Sequence, residues 1–503
     1  MTTTTIPKFK KAIVVGAGPV GCLTALALAK RGWLVDLFEG RPDSRLATSK
    51  VATAQRSINL AISHRGIAAL EAIEPAAAQK FLQSSIPMHG RMIYKLSGEL
   101  DSQLYDRDGQ CINSIDRDLL NQGLLEEADA SPNVRVFFNH KVVAADFENK
   151  SMTIRDATSN SEFTTDFDLC IGADGSYSVI RRQMMRVVRM NYQQEYIKDE
   201  YLELRMPAGR DRNGEPTFLL DPNHLHIWPR HSFMLIALPN KDKTFTCTLF
   251  APTAELDRLR SADCILAWFK LYFPDALRAI GDKSLVKDFM TNPRSPLICT
   301  KSNPYHYKDR AIILGDAAHS MVPFYGQGLN AGLEDVRILS TLLDEEGVSS
   351  ISDPQNTHDR RLSTVLQRYT DTRHEDLIAI SDLAMNNYVE MRHSVTLLSY
   401  LFRKTLDNLL YAITAPEMVS LASLIPTLAT VPYPSGKPKG WLPLYTMVTF
   451  RPDINYATVK KKAACQSSIL TGLSWIGVSV LGAAGTWLVW STRGMLLDYL
   501  HNN

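Results

Sequence analysis

Three stretches of the chain set glycine and one carboxylate just after an apolar run, the residue types that hold a phosphorylated dinucleotide. Lys11-Ala-Ile-Val-Val15 leads into Gly16-Ala-Gly18-Pro-Val-Gly21, the G-x-G-x-x-G spacing. Each glycine removes a Cβ that would block the turn, the pyrophosphate or helix–strand packing, and the N–H groups of the helix that follows face the phosphates. Leu34-Val-Asp-Leu-Phe38 ends at Glu39, where a carboxylate accepts ribose hydroxyls. An apolar run delivers an acid again at Asp174-Gly175, and once more at Gly315-Asp316, which is followed by Pro323 and the glycine-rich Gly326-Gln-Gly328-Leu329-Asn330. Asp316 is placed to hold the hydroxyls of a sugar-alcohol chain. The N–H groups near Gly328 to Asn330 are placed to meet an electron-rich ring edge.

These groups need elements to carry them. The periodicity predicts a strand over Lys11–Val15, a helix from Pro19 that stops at Gly32, and a second strand over Leu34–Phe38. Ser63 is expected to cap a helix that starts near Arg65. A hairpin around Ser97-Gly98 should carry Arg91 and Tyr105, and from Tyr192 to Phe273 alternating strands predict a sheet-rich insertion. Leu225, Ile227, Ile236, Leu238 and Phe250 share period-two faces there, as plain sheet core or as the wall of an apolar pocket. Arg56 is either a cation for the pyrophosphate or an ordinary loop arginine. A strand arginine such as Arg91 is, by itself, most often solvated or paired.

The 503 residues allow two or three domains, and the net charge of +2 is spread without a basic stripe that would argue for nucleic acid. Seven cysteines lack C-x-x-C spacing, which points to a reducing compartment, with no disulfide framework and no structural zinc. The first residues carry no signal-like pattern. Ile469 to Trp490 is 22 residues without a charge, preceded by Lys460-Lys-Lys462. As a helix it would span about 33 Å, so a membrane anchor is expected over 469–490.

Together the three glycine–carboxylate junctions resemble the fingerprints of the single-component, FAD-dependent aromatic hydroxylases. Arg56-Ser-Ile-Asn-Leu-Ala-Ile-Ser-His-Arg-Gly66, Pro87-Met-His-Gly-Arg-Met-Ile93, Leu225-His-Ile-Trp-Pro-Arg230, Ala379 to Arg392 and Pro443 to Phe450 are similar to its kynurenine-hydroxylating branch, over nearly the whole chain. The resemblance implies an α/β fold: a Rossmann-like FAD-binding domain (1–85, 106–185 and 300–384), a β-sheet substrate domain (86–105 and 186–299), a C-terminal helical region (385–465) and a C-terminal transmembrane helix.

It also implies bound FAD, NADPH and O₂ as co-substrates, and L-kynurenine hydroxylated at its 3 position in tryptophan degradation and NAD biosynthesis, at the mitochondrial outer membrane facing the cytosol. By resemblance Arg91 and Tyr105 bind the substrate carboxylate, Asn387 and Tyr445 complete the polar end, and Glu390 shapes the amino-acid end. Leu225, Ile227, Ile236, Phe250 and Phe324 line the ring. On the flavin side, Glu39, Arg117, Asp316, Leu329 and Asn330 are implied as contacts, with Val20, Arg41, Ala61 and Val142 as lesser ones. No acid or base residue is expected, because the cofactor carries the chemistry. The stretch from Thr414 to Lys439 departs from the animal pattern and is expected to loop out. Open alternatives are a hydroxylase of another aromatic acid, an oxygenase of a lipid, and a membrane-tethered FAD-binding scaffold.

Overall fold

The structure, a computed structural model, describes residues 8–46, 59–353, 357–414 and 440–472. In chain order its main strands are Lys11–Val15 (β1), Leu34–Phe38 (β2), Gly90–Tyr94 (β3), Leu100–Leu104 (β4), Val134–Phe137 (β5), Leu169–Gly172 (β6), Asn191–Met206 (β7), His224–Arg230 (β8), Phe233–Pro239 (β9), Phe245–Pro252 (β10), Ser295–Asn303 (β11), His306–Tyr307 (β12) and Ala311–Ile313 (β13). The helices used below are Pro19–Ala29 (α1), His64–Ile73 (α2), Arg117–Ala130 (α3), Val179–Met184 (α4), Gly328–Glu345 (α5), Arg360–Arg392 (α6), Leu398–Thr414 (α7) and Leu444–Phe450 (α8).

One sheet runs β12-β13-β6-β1-β2-β5 and is parallel except for β12. Its register sets Val15 opposite both Phe38 and Gly172, and Gly172 opposite Ile313. Four strands therefore finish in one row, and the residues that follow them, Gly16, Glu39, Asp174 and Asp316, share the carboxyl edge. Here β1 is the switch point, with the chain moving to β2 on one side and to β6 on the other, the place where open α/β sheets bind ligands. Helix α1 is buried along Gly21–Ala29, which its small residues permit.

The second sheet, β11-β7-β10-β9-β8-β3-β4, is antiparallel except for the β8–β3 pair. That parallel pair joins two distant parts of the chain and sets Arg91 beside Leu225. On the sheet's far face Trp228, Phe245, Phe269 and Phe273 form a separate core. Its near face borders the first sheet's carboxyl edge.

The segment from 440 to 472 is tied in by buried charge. The fully buried Arg65 of α2 donates to the carbonyl oxygens of Met447, Val448 and Ile454 at 3.3, 2.6 and 2.5 Å, and pairs with Glu334 at 3.0 Å. Arg373 of α6 holds Glu334 and Asp335, both at 2.9 Å. Asp335 in turn accepts from the Gly315 amide at 3.1 Å. Each ion has a partner and further hydrogen bonds, the condition for burying charge.

The expected membrane-spanning helix is corrected here. Among the described residues no helix is long and apolar enough to cross a membrane. A helix over 456–472 includes only the first four positions of the apolar run, and its lysines hold it along the protein body. Lys460 pairs with Asp382 at 2.5 Å and Lys461 with Glu375 at 3.1 Å, while Val459 is buried. Positions 473–490 of that run lie outside the described residues, as do Arg56 and residues 415–439 of the expected loop.

Candidate cofactor and substrate site

A cavity of about 750 Å³ opens along the shared carboxyl edge. One end is walled by Phe38, His140, Lys141 and Val142, the middle by Gly16, Gly18, Val20, Arg41, Arg117, Asp174 and Asp316, and the other end by residues of the second sheet. Gly16 has φ +102°, and a Cβ there would stand 2.4 Å from the Ala173 carbonyl oxygen. A Cβ on Gly18 would meet nothing within 4 Å, so this glycine leaves open the floor of the cradle at the start of α1.

Glu39 accepts from the Ala17 amide at 3.0 Å and from the amide and Nε of Arg41, both at 2.9 Å. Burial opposes its ionisation, but these donors and the Arg41 charge outweigh it and hold the carboxyl below its ordinary range. The Asp316 side chain opens into the cavity and its carboxylate has no hydrogen-bond partner among the described residues; desolvation there pushes its pKa up against the pull of Arg117 and His319. Arg117, the first residue of α3, likewise makes no hydrogen bond or ion pair among the described residues. A glycine cradle at a helix start, a ribose-height carboxylate, a free cation and a free acid fit an extended dinucleotide such as FAD.

Toward the second sheet, Leu225, Ile236, Leu238, Phe250, Phe324, Tyr325, Met391 and Tyr445 line the cavity together with Arg91. Arg91 is 6% exposed and donates from Nη1 to Glu390 Oε1 at 3.1 Å, and the same oxygen accepts from the Tyr400 hydroxyl at 2.9 Å. Among the described residues its Nε is buried without a hydrogen-bond partner, and the buried Tyr105 hydroxyl, which sits against Arg91 and Tyr445, makes no well-formed hydrogen bond. Burial works against the guanidinium charge, yet Tyr400, Glu390, Tyr445 and Tyr105 outweigh it and the pKa is raised. The guanidinium lies 5.1 Å from the Tyr445 ring centre and 5.9 Å from that of Tyr105. Tyr325, Tyr445 and Tyr105 form a stack, with centroids 5.6 and 4.7 Å apart.

The expected residues divide into those at the cavity and those one layer behind it. Gly16, Gly18, Val20, Glu39, Arg41, Ala61, Arg117, Val142, Asp174, Asp316 and Leu329 line it, as do Arg91, Leu225, Ile236, Phe250, Phe324 and Tyr445. Tyr105 stacks behind Tyr445. Ile227, one pleat beyond Leu225, is fully buried opposite Ile93 and Ile236.

Gly21 packs under the turn, where its Cβ would meet the Gly16 oxygen. The Asp174 side chain also caps α4, accepting from Ser178 Oγ at 2.5 Å and the Val179 amide at 2.6 Å. Asn330 is wholly buried and clamps three backbone groups: it accepts from the Ser63 amide at 2.9 Å and donates to the Ala61 and Gly326 carbonyls at 2.9 and 2.6 Å. Asn387 donates to the Phe324 carbonyl at 2.7 Å and so fixes the loop, while Glu390 holds Arg91. Sequence reasoning missed Tyr325, Met391 and Tyr400 at this end. Leu238 shares the parity of Ile236 and was legible as a wall residue; a stacked tyrosine in a glycine-rich loop carries no such signal.

Comparison with known proteins agrees with this geometry. The FAD binding domain family matches residues 10–206 and 272–351. A kynurenine 3-monooxygenase of Cryptococcus neoformans var. neoformans serotype D (strain B-3501A) is 42% identical, covering 95% of this chain and 96% of that protein. Those of Yarrowia lipolytica (42% identical, 93% and 96% covered) and Saccharomyces cerevisiae (41%, 94% and 96%) are similar to the same extent. Among solved structures, 2-methyl-3-hydroxypyridine-5-carboxylic acid oxygenase superposes with a TM-score of 0.58 at 21% identity, covering 78% of this chain and 95% of that one, a likeness of fold.

Proposed function

The chain belongs to the kynurenine 3-monooxygenase family, FAD-dependent enzymes that hydroxylate kynurenine with O₂, and on that premise we propose how its own side chains divide the work. Glu39, the Gly16–Gly21 turn, Arg117 and Asp316 hold FAD along the carboxyl edge. Reduced by NADPH, bound FAD supplies the oxygen activation that no side chain offers.

The observation that carries the substrate assignment is the pair of buried donors without well-formed partners among the described residues, Arg91 Nε and the Tyr105 hydroxyl, beside Tyr445 at the cavity wall. A buried unpaired donor costs about 1–3 kcal/mol, and a ligand carboxylate removes that cost at both atoms. We assign the kynurenine α-carboxylate to Arg91 and Tyr105 and the α-ammonium to Glu390, whose Oε1 is already engaged by Arg91 and Tyr400. Leu225, Ile236, Phe250 and Phe324 then flank the aromatic ring and exclude water from it. No side chain has to act as general base, because the ring amine of kynurenine itself donates electron density to the carbon that is hydroxylated.

A lipid substrate is not favoured, since it would leave Arg91 Nε and the Tyr105 hydroxyl buried and unpaired. The test is turnover of kynurenine with NADPH under isotopically labelled O₂. A product carrying one labelled oxygen, formed in step with NADPH consumption, is expected. Peroxide without an oxygenated product overturns the assignment.

A further inference from the structure

The chain that follows α4 gathers positive charge without a counter-ion. The Met185 amide donates to the Arg181 carbonyl at 3.0 Å and the Val188 amide to that of Met184 at 2.9 Å, so the helical path continues past the end of α4. Arg182, Arg186 and Arg189 therefore stand at i, i+4 and i+7, within an arc of about 60° at about 100° per residue. All three are exposed, and among the described residues none makes a hydrogen bond or an ion pair. Like charges at this spacing repel by about 0.2–0.5 kcal/mol a pair, a cost that an anion seated on the same face removes.

Two observations tie this face to the cofactor cavity. The buried Arg181 donates to the Ser176 and Ala317 carbonyls, both at 2.7 Å, and its guanidinium lies 4.6 Å from the centre of the Tyr192 ring. One side chain thus fixes α4, the cavity wall at Ser176 and the start of β7 together. From Tyr192 a hydrogen-bonded row runs along one face of β7. The Tyr192 hydroxyl donates to Gln194 Oε1 at 2.6 Å, Gln194 Nε2 donates to the Tyr196 hydroxyl at 3.3 Å, and that hydroxyl lies 3.4 Å from the hydroxyl of Tyr177. Tyr177 lines the cavity and is 63% exposed, and Tyr196 is 47% exposed. Val179 lines it too, and Arg182 stands only about 5 Å further along α4. The cationic face and the cavity mouth are joined by aromatic surface of the kind on which purine and nicotinamide rings stack.

The anion this face would take has to share the mouth of the FAD cavity. NADPH must bring its nicotinamide to that mouth, and the one G-x-G-x-x-G turn is taken up by FAD, so its adenosine end needs contacts elsewhere. We propose that Arg182, Arg186 and Arg189 hold the 2′-phosphate of NADPH, with the nicotinamide end entering past Tyr177 and Tyr196. The assignment rests on the use of NADPH stated above. It makes the arginine face the part of the chain that tells NADPH from NADH, which lacks that phosphate.

The test titrates the full-length, FAD-loaded enzyme with NADP+ and with NAD+ by calorimetry, in the native chain and in one carrying Arg182→Gln, Arg186→Gln and Arg189→Gln. Visible flavin absorbance reports that the variant keeps its fold and its FAD. The native enzyme is expected to bind NADP+ about tenfold or more tightly than NAD+, and the variant to bind the two alike because only its affinity for NADP+ has dropped. In steady state the ratio of KM for NADH to KM for NADPH should fall by the same factor. Three results overturn the proposal. A variant that keeps the native preference places the 2′-phosphate elsewhere, and an equal loss for both dinucleotides means that the arginines act as a diffuse field. A native enzyme indifferent to the 2′-phosphate removes the NADPH premise, and the proposal with it.

Discussion

Tyr105 and Tyr445, from opposite ends of the sequence, stack with ring centroids 4.7 Å apart and planes within 8° of parallel. Arg91 lies over both rings, so the cation and the tyrosine hydroxyl assigned to the substrate are fixed by one contact surface. Because Tyr445 enters through α8, the anchor is complete only when the C-terminal segment is docked. The geometry makes the residues separable by kinetics.

Arg91→Ala removes a buried, hydrogen-bonded cation from the carboxylate end. It should raise KM for kynurenine by about 30-fold or more, about 2–4 kcal/mol, with FAD content unchanged by visible absorbance. Tyr105→Phe keeps the stack and loses one donor, for an expected effect of about 0.5–1.5 kcal/mol on the same constant. Wild-type kinetics for Arg91→Ala at full FAD occupancy would remove Arg91 from the site.

The glycine turn separates folding from cofactor binding. A Cβ at Gly21 would stand 1.9 Å from the Gly16 carbonyl oxygen, whereas one at Gly18 would enter the open cradle. Gly21→Ala is expected to abolish soluble folded protein. Gly18→Ala should give a folded chain, by circular dichroism, that retains little FAD. Equal FAD content in Gly18→Ala and the native chain would show that the cofactor does not approach this position.

Asn330→Ala strands the Ser63 amide and the Ala61 and Gly326 carbonyls in a dry interior. The expected loss is about 3 kcal/mol or more of stability, together with weaker FAD retention, because Ala61 and Gly326 both border the cavity. Asn330→Asp should not rescue it, since a carboxylate offers no donor to the two carbonyls. Denaturant midpoints and released flavin fluorescence report the two effects separately.

His226 is 1% exposed, with Nε2 2.7 Å from the Asp221 carbonyl oxygen and Nδ1 2.9 Å from the Tyr94 hydroxyl, and burial presses its pKa down to about 4. The unfolded chain takes up this proton near pH 6.5, so the fold binds fewer protons between those values. Stability attributable to His226 is full above pH 6.5 and falls as the pH is lowered toward 4, by at most about 1.4 kcal/mol per pH unit. Urea titrations across this window should show a shallower dependence in His226→Gln. The same slope in both proteins would mean that the imidazole is charged in the fold.

The β1–Gly16–α1–β2–Glu39 unit was legible because its signals are local: a strand, a glycine turn and a helix adjoin in sequence. The pairing of Arg91 with Tyr445 was reachable only through family resemblance, because it depends on β3 entering the second sheet beside β8 and on α8 returning from the far end of the chain. Period two correctly grouped Leu225 with Ile227 on one face, but it carries no depth. The cavity reaches only the first of them. Asn330 and Asn387, expected at the flavin and at the substrate, have side chains that bond the backbone of neighbouring loops, a role that an asparagine in a sequence does not announce. The apolar run from 469 announced a helix, but not that Lys460 and Lys461 hold its first described turns against Asp382 and Glu375.

The guanidinium of Arg65, carried on α2, draws its partners from two places, Glu334 of α5 and the carbonyls of Met447, Val448 and Ile454. During synthesis, α2 and α5 leave the ribosome long before residue 454 does. Until then Arg65 has Glu334 but lacks the three carbonyls that satisfy the rest of its guanidinium. A chain stopped before Ile454 would leave that cation facing an unfilled socket, so the last part of the message to be read is the part that lets the first part finish folding.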